Sequence, residues 1–265
     1  MKRLWSRKFC AALVIIAWAA TLVSLWGMLD AGRRAVASEG GCQPADLQNI
    51  GLRLEMASSA SDALTILNGD PAKAACLRSG ATAQVQADYL FIPAYSGLML
   101  VLFFFVRAFW ITPLRERRSV ASGLLVLGLL LAAAMSIGDV LENLQLTSMI
   151  DLAKGNLPLP YDKFTLLRYA GTLKWAALAA AALVLGLSWT ARPSRLLVWV
   201  PRLLGLAAAT LFIIGLVRTE WETVSFGMSA LAAFWFAALI HAVAVAVEPE
   251  SIQTPDSIPE RTRKS

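Results

Sequence analysis

Apolar residues fall into six long blocks, at residues 9–29, 89–110, 121–146, 167–189, 197–217 and 224–247. Within each block they run almost without interruption, neither alternating nor keeping to one helical face. Runs of about 20 apolar residues match the roughly 30 Å hydrocarbon core of a bilayer, at about 1.5 Å per helical residue. The pattern predicts an all-α polytopic membrane protein, a bundle of six transmembrane helices over residues 1–247. Residues 31–87 are the one extended polar insertion. Its middle carries Leu47, Ile50, Leu52, Leu54, Met56, Leu64 and Leu67, several of them three or four residues apart. That spacing predicts one or two amphipathic helices, ended by the breaker cluster Asn68-Gly69-Asp70-Pro71. The insertion therefore reads as a small helical cap on one face of the membrane. The tail 248–265, with Pro249, Pro255 and Pro259 among Ser, Thr and charged residues, reads as disordered.

Local signals refine the spans. Pro93 is expected in the first turn of the second span, and Pro201 near the start of the fifth, with residues 194–200 lying along the interface. A missing N–H is tolerated at those positions. The alanine-rich stretch through Ala182 in the fourth span suits close approach of helix backbones. The first block has a second reading as a signal peptide, since Ala35-Val36-Ala37 resembles a cleavage site. Its length exceeds the usual apolar core of roughly 7–15 residues, and Arg33 and Arg34 separate it from that site, so an uncleaved first helix is expected.

Charge sets the expected orientation. Lys2, Arg3, Arg7 and Lys8 precede the first span without an acidic residue. Further Arg clusters follow the second span (Arg115, Arg117, Arg118) and the fourth (Arg192, Arg195, Arg202). In the cap, Arg33, Arg34, Arg53, Lys73 and Arg78 are balanced by Glu39, Asp46, Glu55, Asp62 and Asp70. Short basic segments stay in the cytoplasm, which places both termini and the tail there and the cap outside. The formal charge of +6 thus reflects membrane insertion, and no nucleic-acid partner is expected.

Composition agrees. Of 265 residues, 57% are hydrophobic and 16% charged, with a mean hydropathy of +0.61. Soluble domains carry about 25% charged residues. Of the three cysteines, Cys10 begins the first span, while Cys42 and Cys76 share the cap. An even pair in an oxidising compartment reads as a disulfide, two free thiols being the alternative.

Chemistry concentrates where the second, third and fourth spans near the cap. Asp88 stands at the interface, with Tyr95 two turns deeper on the same helical face. Asp139, Glu142 and Asn143 are i, i+3 and i+4 neighbours on the third span, and Lys174 and Arg168 approach from the fourth. An unpaired charge in hydrocarbon costs at least about 2.5–3.5 kcal/mol on insertion scales, so such residues turn inward and find partners. Asp139 is expected to pair with Lys174, with Tyr95 and Asn143 completing the hydrogen bonds; the alternative is a Lys174 that snorkels outward and pairs with nothing. That constellation serves either as a structural clasp, the reading favoured here, or as a pocket for a small or lipid-like ligand. In the clasp reading Asp88, Glu142 and Arg168 are hydrated at the interface. Arg107 and His241 are expected to be interface anchors near the cytoplasmic ends. The lone histidine has no partner at metal-ligand spacing. Neither a metal site nor any cofactor is expected, and no phosphate-binding or hydrolase motif occurs.

The runs Ala60–Leu67, Asp88-Tyr89-Leu90-Phe91-Ile92-Pro93-Ala94-Tyr95 and Asp139-Val140-Leu141-Glu142-Asn143 resemble those of a group of bacterial integral membrane proteins of unassigned activity. In that group an amphipathic outer segment precedes an Asp-x-x-Phe-Ile-x-x-Tyr helix and an Asp-x-x-Glu-Asn helix. The resemblance covers roughly residues 45–145 and implies a bacterial inner-membrane location without implying a mechanism. The expected function is non-enzymatic, with the bilayer as partner and the polar cluster as clasp or ligand site. A secondary transporter using Asp139 and Lys174, or an intramembrane acid–base enzyme using Asp139 or Glu142, are the alternatives.

Overall fold

Each apolar block folds as part of one continuous helix in the computed structural model, which describes residues 7–47, 49–110, 118–155, 157–189 and 195–248. In chain order the α-helices are α1 (Arg7–Glu39), α2 (Ile50–Glu55), α3 (Ala60–Asn68), α4 (Ala74–Trp110), α5 (Arg118–Lys154), α6 (Tyr161–Ser188), α7 (Arg195–Arg218) and α8 (Trp221–Val247). A 3-10 turn, Pro44–Leu47, precedes α2. Six of them, α1 and α4 to α8, are long and apolar enough to cross a membrane. The tail beyond residue 248 and most of the basic segments before α1, α5 and α7 lie outside the described residues.

The spanning helices form a closed ring. Helices α1, α4, α5, α6, α7 and α8 each pack on the next, and α8 returns to α1. The short α2 touches α4, α6 and α8, so it lies across one mouth of the ring. That mouth is the capped end.

Several helices outrun the expected spans. Helices α1, α4 and α5 have 33, 37 and 37 residues, about 50–55 Å at the α-helical rise. The surplus of α1 and α4 projects at the capped end. The cap therefore does not occupy all of 31–87: its first residues finish α1, and those from Ala74 onward begin α4. The stretch Ala74-Ala75-Cys76-Leu77-Arg78 is made of residues that lose little entropy in a helix, and its cap-facing side packs on α1. Pro93 consequently lies inside α4 rather than in its first turn, and Pro201 lies inside α7, which is helical from Arg195 onward. Beside Pro93, the Thr21 hydroxyl donates to the Ala94 carbonyl at 3.1 Å, tying α1 to α4.

Covalent and polar ties hold the cap down. Cys42 and Cys76 are bonded, with Cα atoms 6.1 Å apart, linking the chain after α1 to the start of α4. Lys73 pairs with Asp46 at 2.9 Å. The Gln43 amide and the Lys73 ammonium hold the Asp46 carboxyl below the usual carboxylate range, and Asp46 in turn raises Lys73. Helix α3 is capped by Ser59, whose hydroxyl accepts from the Asp62 amide at 3.1 Å, while the Asp62 carboxylate accepts from the Ser58 amide at 2.9 Å. That reciprocal arrangement is a variant of the capping box.

Two apolar cores result. One fills the ring, around Leu98, Met99, Leu102, Phe103, Phe105, Trp175, Trp189, Phe212 and Phe234. The other lies under the cap, around Val36, Leu47, Ile50, Leu54, Leu67, Met149, Ile150 and Leu167. Their boundary is consistent from helix to helix. On α4 the cap core ends at Val85 and the ring core begins at Ile92; on α5 the ring core ends at Met135 and the cap core begins at Leu146; on α6 Leu167 and Trp175 bracket the gap. Asp88, Asp139, Glu142, Asn143 and Lys174 all fall in that gap.

Candidate functional site

The site begins with a close helix crossing. A methyl group on Gly138 would stand 2.8 Å from the Lys174 amide nitrogen and 2.9 Å from the Ala170 carbonyl oxygen. Only a residue without Cβ lets α5 and α6 approach this closely. The crossing sets the next residue, Asp139, directly against Lys174.

Lys174 is the hub. Its ammonium contacts Glu142 Oε1 at 2.5 Å, Asp139 Oδ1 at 3.1 Å and Glu55 Oε2 at 3.1 Å. Two of these contacts are hydrogen bonds, to Glu142 and Asp139, and the third, with Glu55, is an ion pair. The Lys174 side chain is 6% exposed and that of Glu142 is 1% exposed. Tyr95 on α4 donates its hydroxyl to Asp139 Oδ2 at 2.6 Å. Asn143 Nδ2 donates to Asp88 Oδ2 at 2.7 Å. One turn deeper, Ser136 and Ser96 join their hydroxyls at 3.0 Å. The network thus stitches α4, α5 and α6 together at one depth.

Glu55 is the member that sequence reasoning missed. It sits at the end of α2, in the cap, and its carboxylate also accepts from Trp175 Nε1 at 3.0 Å. In the sequence Glu55 is one of several balanced cap charges. Its flanking residues in the sequence, Leu54 and Met56, are apolar, but that alone does not say which way the carboxylate faces. Arg168 does not join the ion cluster; its guanidinium donates to the Ala57 carbonyl at 3.3 Å and so holds the chain just after α2.

Other expectations are corrected. Glu142 is not hydrated at an interface, because the Gly138 crossing draws it beneath Lys174; its Oε2 is buried without a hydrogen-bond partner. His241 is not an interface anchor. It is 1% exposed inside the ring, its ring centroid 5.5 Å from that of Trp189, and neither imidazole nitrogen has a hydrogen-bond partner. The small residues around it on α8, Ala237, Ala238, Ala242 and Val245, are all buried, which carries position 241 to the core-facing side. Arg107 is partly buried near the far end of α4.

Beside the network lies a cavity of about 600 Å³. Its polar end is made by Glu55, Asp88, Tyr95, Asp139, Asn143 and Lys174. Its walls are apolar, from Leu25, Met28 and Leu29 on α1, Phe91 on α4, Trp175 and Leu178 on α6, and Leu231 and Trp235 on α8. Helix α2 contributes Ile50, Gly51 and Leu52 at the mouth. Among the described residues, no three of His, Cys, Asp and Glu are arranged to hold a metal ion; the point on which three carboxylates converge is taken by the Lys174 ammonium.

No family model, curated protein or solved structure matches the chain.

Proposed function

We propose that this is a ligand-binding membrane protein whose cavity at the capped end takes one amphipathic, lipid-like molecule. The observation that carries the reading is the cavity's polarity. A single concave space joins apolar walls drawn from several helices to one end lined with hydrogen-bonding groups. Its volume of about 600 Å³ falls in the range of roughly 300–1,000 Å³ common for small-molecule sites. A structural clasp needs the Lys174 network but has no use for a cavity next to it. The network then has two duties, fastening α2 over the mouth through Glu55 and presenting Asp88, Tyr95 and Asn143 to the ligand's polar end.

The same reading orients the protein. The cap is placed outside a bacterial inner membrane, with both termini in the cytoplasm. The balanced charge of the cap and the basic segments at the opposite loops support this, as does the Cys42–Cys76 disulfide, a bond that persists in oxidising compartments. The resemblance to bacterial integral membrane proteins belongs to this proposal as well.

The test is native mass spectrometry of protein extracted with its surrounding lipid. Wild type should carry a bound amphiphile at one per chain. Ala232→Phe, which adds bulk to the cavity wall on α8 away from the ion network, should lose it. Equal retention by both proteins, or no specific ligand in wild type, would overturn the proposal.

A further inference from the structure

The geometry points to an ammonium as the polar end of that ligand, with Asp88 as its ion-pairing residue. The inference rests on the ligand-binding reading above and names the head group which that cavity selects. Charge comes first. Three carboxylates, those of Glu55, Asp88 and Asp139, line the polar end of the cavity together with the ammonium of Lys174, and a fourth, that of Glu142, pairs with Lys174 from outside the cavity lining. Lys174 is already hydrogen-bonded to two protein carboxylates and ion-paired with a third, so its charge is compensated before any anionic head group arrives. Arg33, the other cation lining the cavity, is exposed and lies against the Trp26 ring at 5.9 Å.

An unused acceptor comes next. Asp88 receives one hydrogen bond, from Asn143, and its other oxygen has no donor among the described residues. Asp88 is half-buried, and a carboxylate partly withdrawn from water gains from a cation or donor that fills its open acceptor position. The aromatic lining supplies the third feature. Phe91, Tyr95, Trp175 and Trp235 border the same space, and Trp175 already holds the Lys174 ammonium 4.6 Å from its ring centroid. Aromatic faces attract cations, most strongly where water is excluded. An ammonium head therefore meets carboxylate acceptors and ring faces together, whereas a carboxylate or phosphate head meets like charge.

The probes are tetradecylamine, tetradecanol and tetradecanoate, titrated calorimetrically at neutral pH into full-length protein in phosphatidylcholine nanodiscs, with empty nanodiscs subtracted. The amine should bind about tenfold more tightly than the alcohol, and the carboxylate more weakly than either. In Asp88→Asn the amine should fall to the level of the alcohol. Equal binding of all three by wild type would overturn the head-group assignment and leave the cavity reading standing. Saturable binding of none would overturn both. An amine preference that survives Asp88→Asn would remove Asp88 from the assignment. The wild-type series needs no variant, so the inference is tested even if Asp88→Asn does not fold.

Discussion

Replacing Lys174 by methionine is the most informative single perturbation of this protein. Methionine keeps most of the length and the apolar stem but removes the charge on which Glu55, Asp139 and Glu142 converge. Two arguments bracket the loss. Interhelical hydrogen bonds in membranes average about 0.6 kcal/mol, because unfolded helices in lipid find other partners; three polar contacts of that size, two hydrogen bonds and one ion pair, give about 2 kcal/mol. Removing one partner of a buried ion pair, with the other charge left behind, costs about 3–5 kcal/mol. The partners' side chains are 10%, 5% and 1% exposed, so water does little to relieve them. A destabilisation of about 2–5 kcal/mol is expected, measured by steric trapping or by reversible unfolding in mixed micelles. Glu55→Gln is the control. The amide oxygen still accepts from Trp175 and two carboxylates still face Lys174, so the expected cost is about 1 kcal/mol or less. A Lys174→Met protein within about 1 kcal/mol of wild type would refute the hub. So would a Glu55→Gln variant that matches it in damage. A double-mutant cycle of Lys174→Met with Glu142→Gln should show coupling of more than about 0.5 kcal/mol, as neighbours in one network do.

Gly138→Ala should cost about 1–3 kcal/mol by overpacking, since its methyl would overlap the α6 backbone at 2.8 and 2.9 Å; an unfolding midpoint equal to wild type would show that α5 and α6 can part without loss. Cys42→Ser opens the Cys42–Cys76 bond and is expected to cost about 2–4 kcal/mol, with faster amide exchange confined to residues 40–73; exchange unchanged there would mean that Lys73–Asp46 and the packing of α2 suffice to hold the cap. His241→Leu should be neutral or stabilising in thermal unfolding, because it removes a buried imidazole with no hydrogen-bond partner; a loss of more than about 2 kcal/mol would reveal a bond that the imidazole makes through water.

The six spans are legible in hydropathy, because a stretch of apolar residues long enough to cross a bilayer leaves its backbone no option but a helix. Hydropathy also gave the depth of the polar layer, since Asp88, Asp139 and Lys174 are each placed by counting from the ends of their own spans. Helix termini were less legible: the segments from Ala74 to Asp88 and from Thr147 to Lys154 are polar enough to read as loop, and continue as helix because they pack under the cap. Tertiary structure alone decided which of these charges meet. The Asp139–Lys174 contact depends on Gly138 letting two backbones close, and Glu55 reaches Lys174 only because the ring has a mouth and α2 lies across it. Neither condition is written near the residues it joins. His241 was misplaced for the same reason, since its distance from a helix end says nothing about which neighbour its face meets. Hydropathy is a property of each segment and fixes depth, whereas pairing is a property of how segments rotate and cross, and that is set by packing between parts of the chain far apart in sequence.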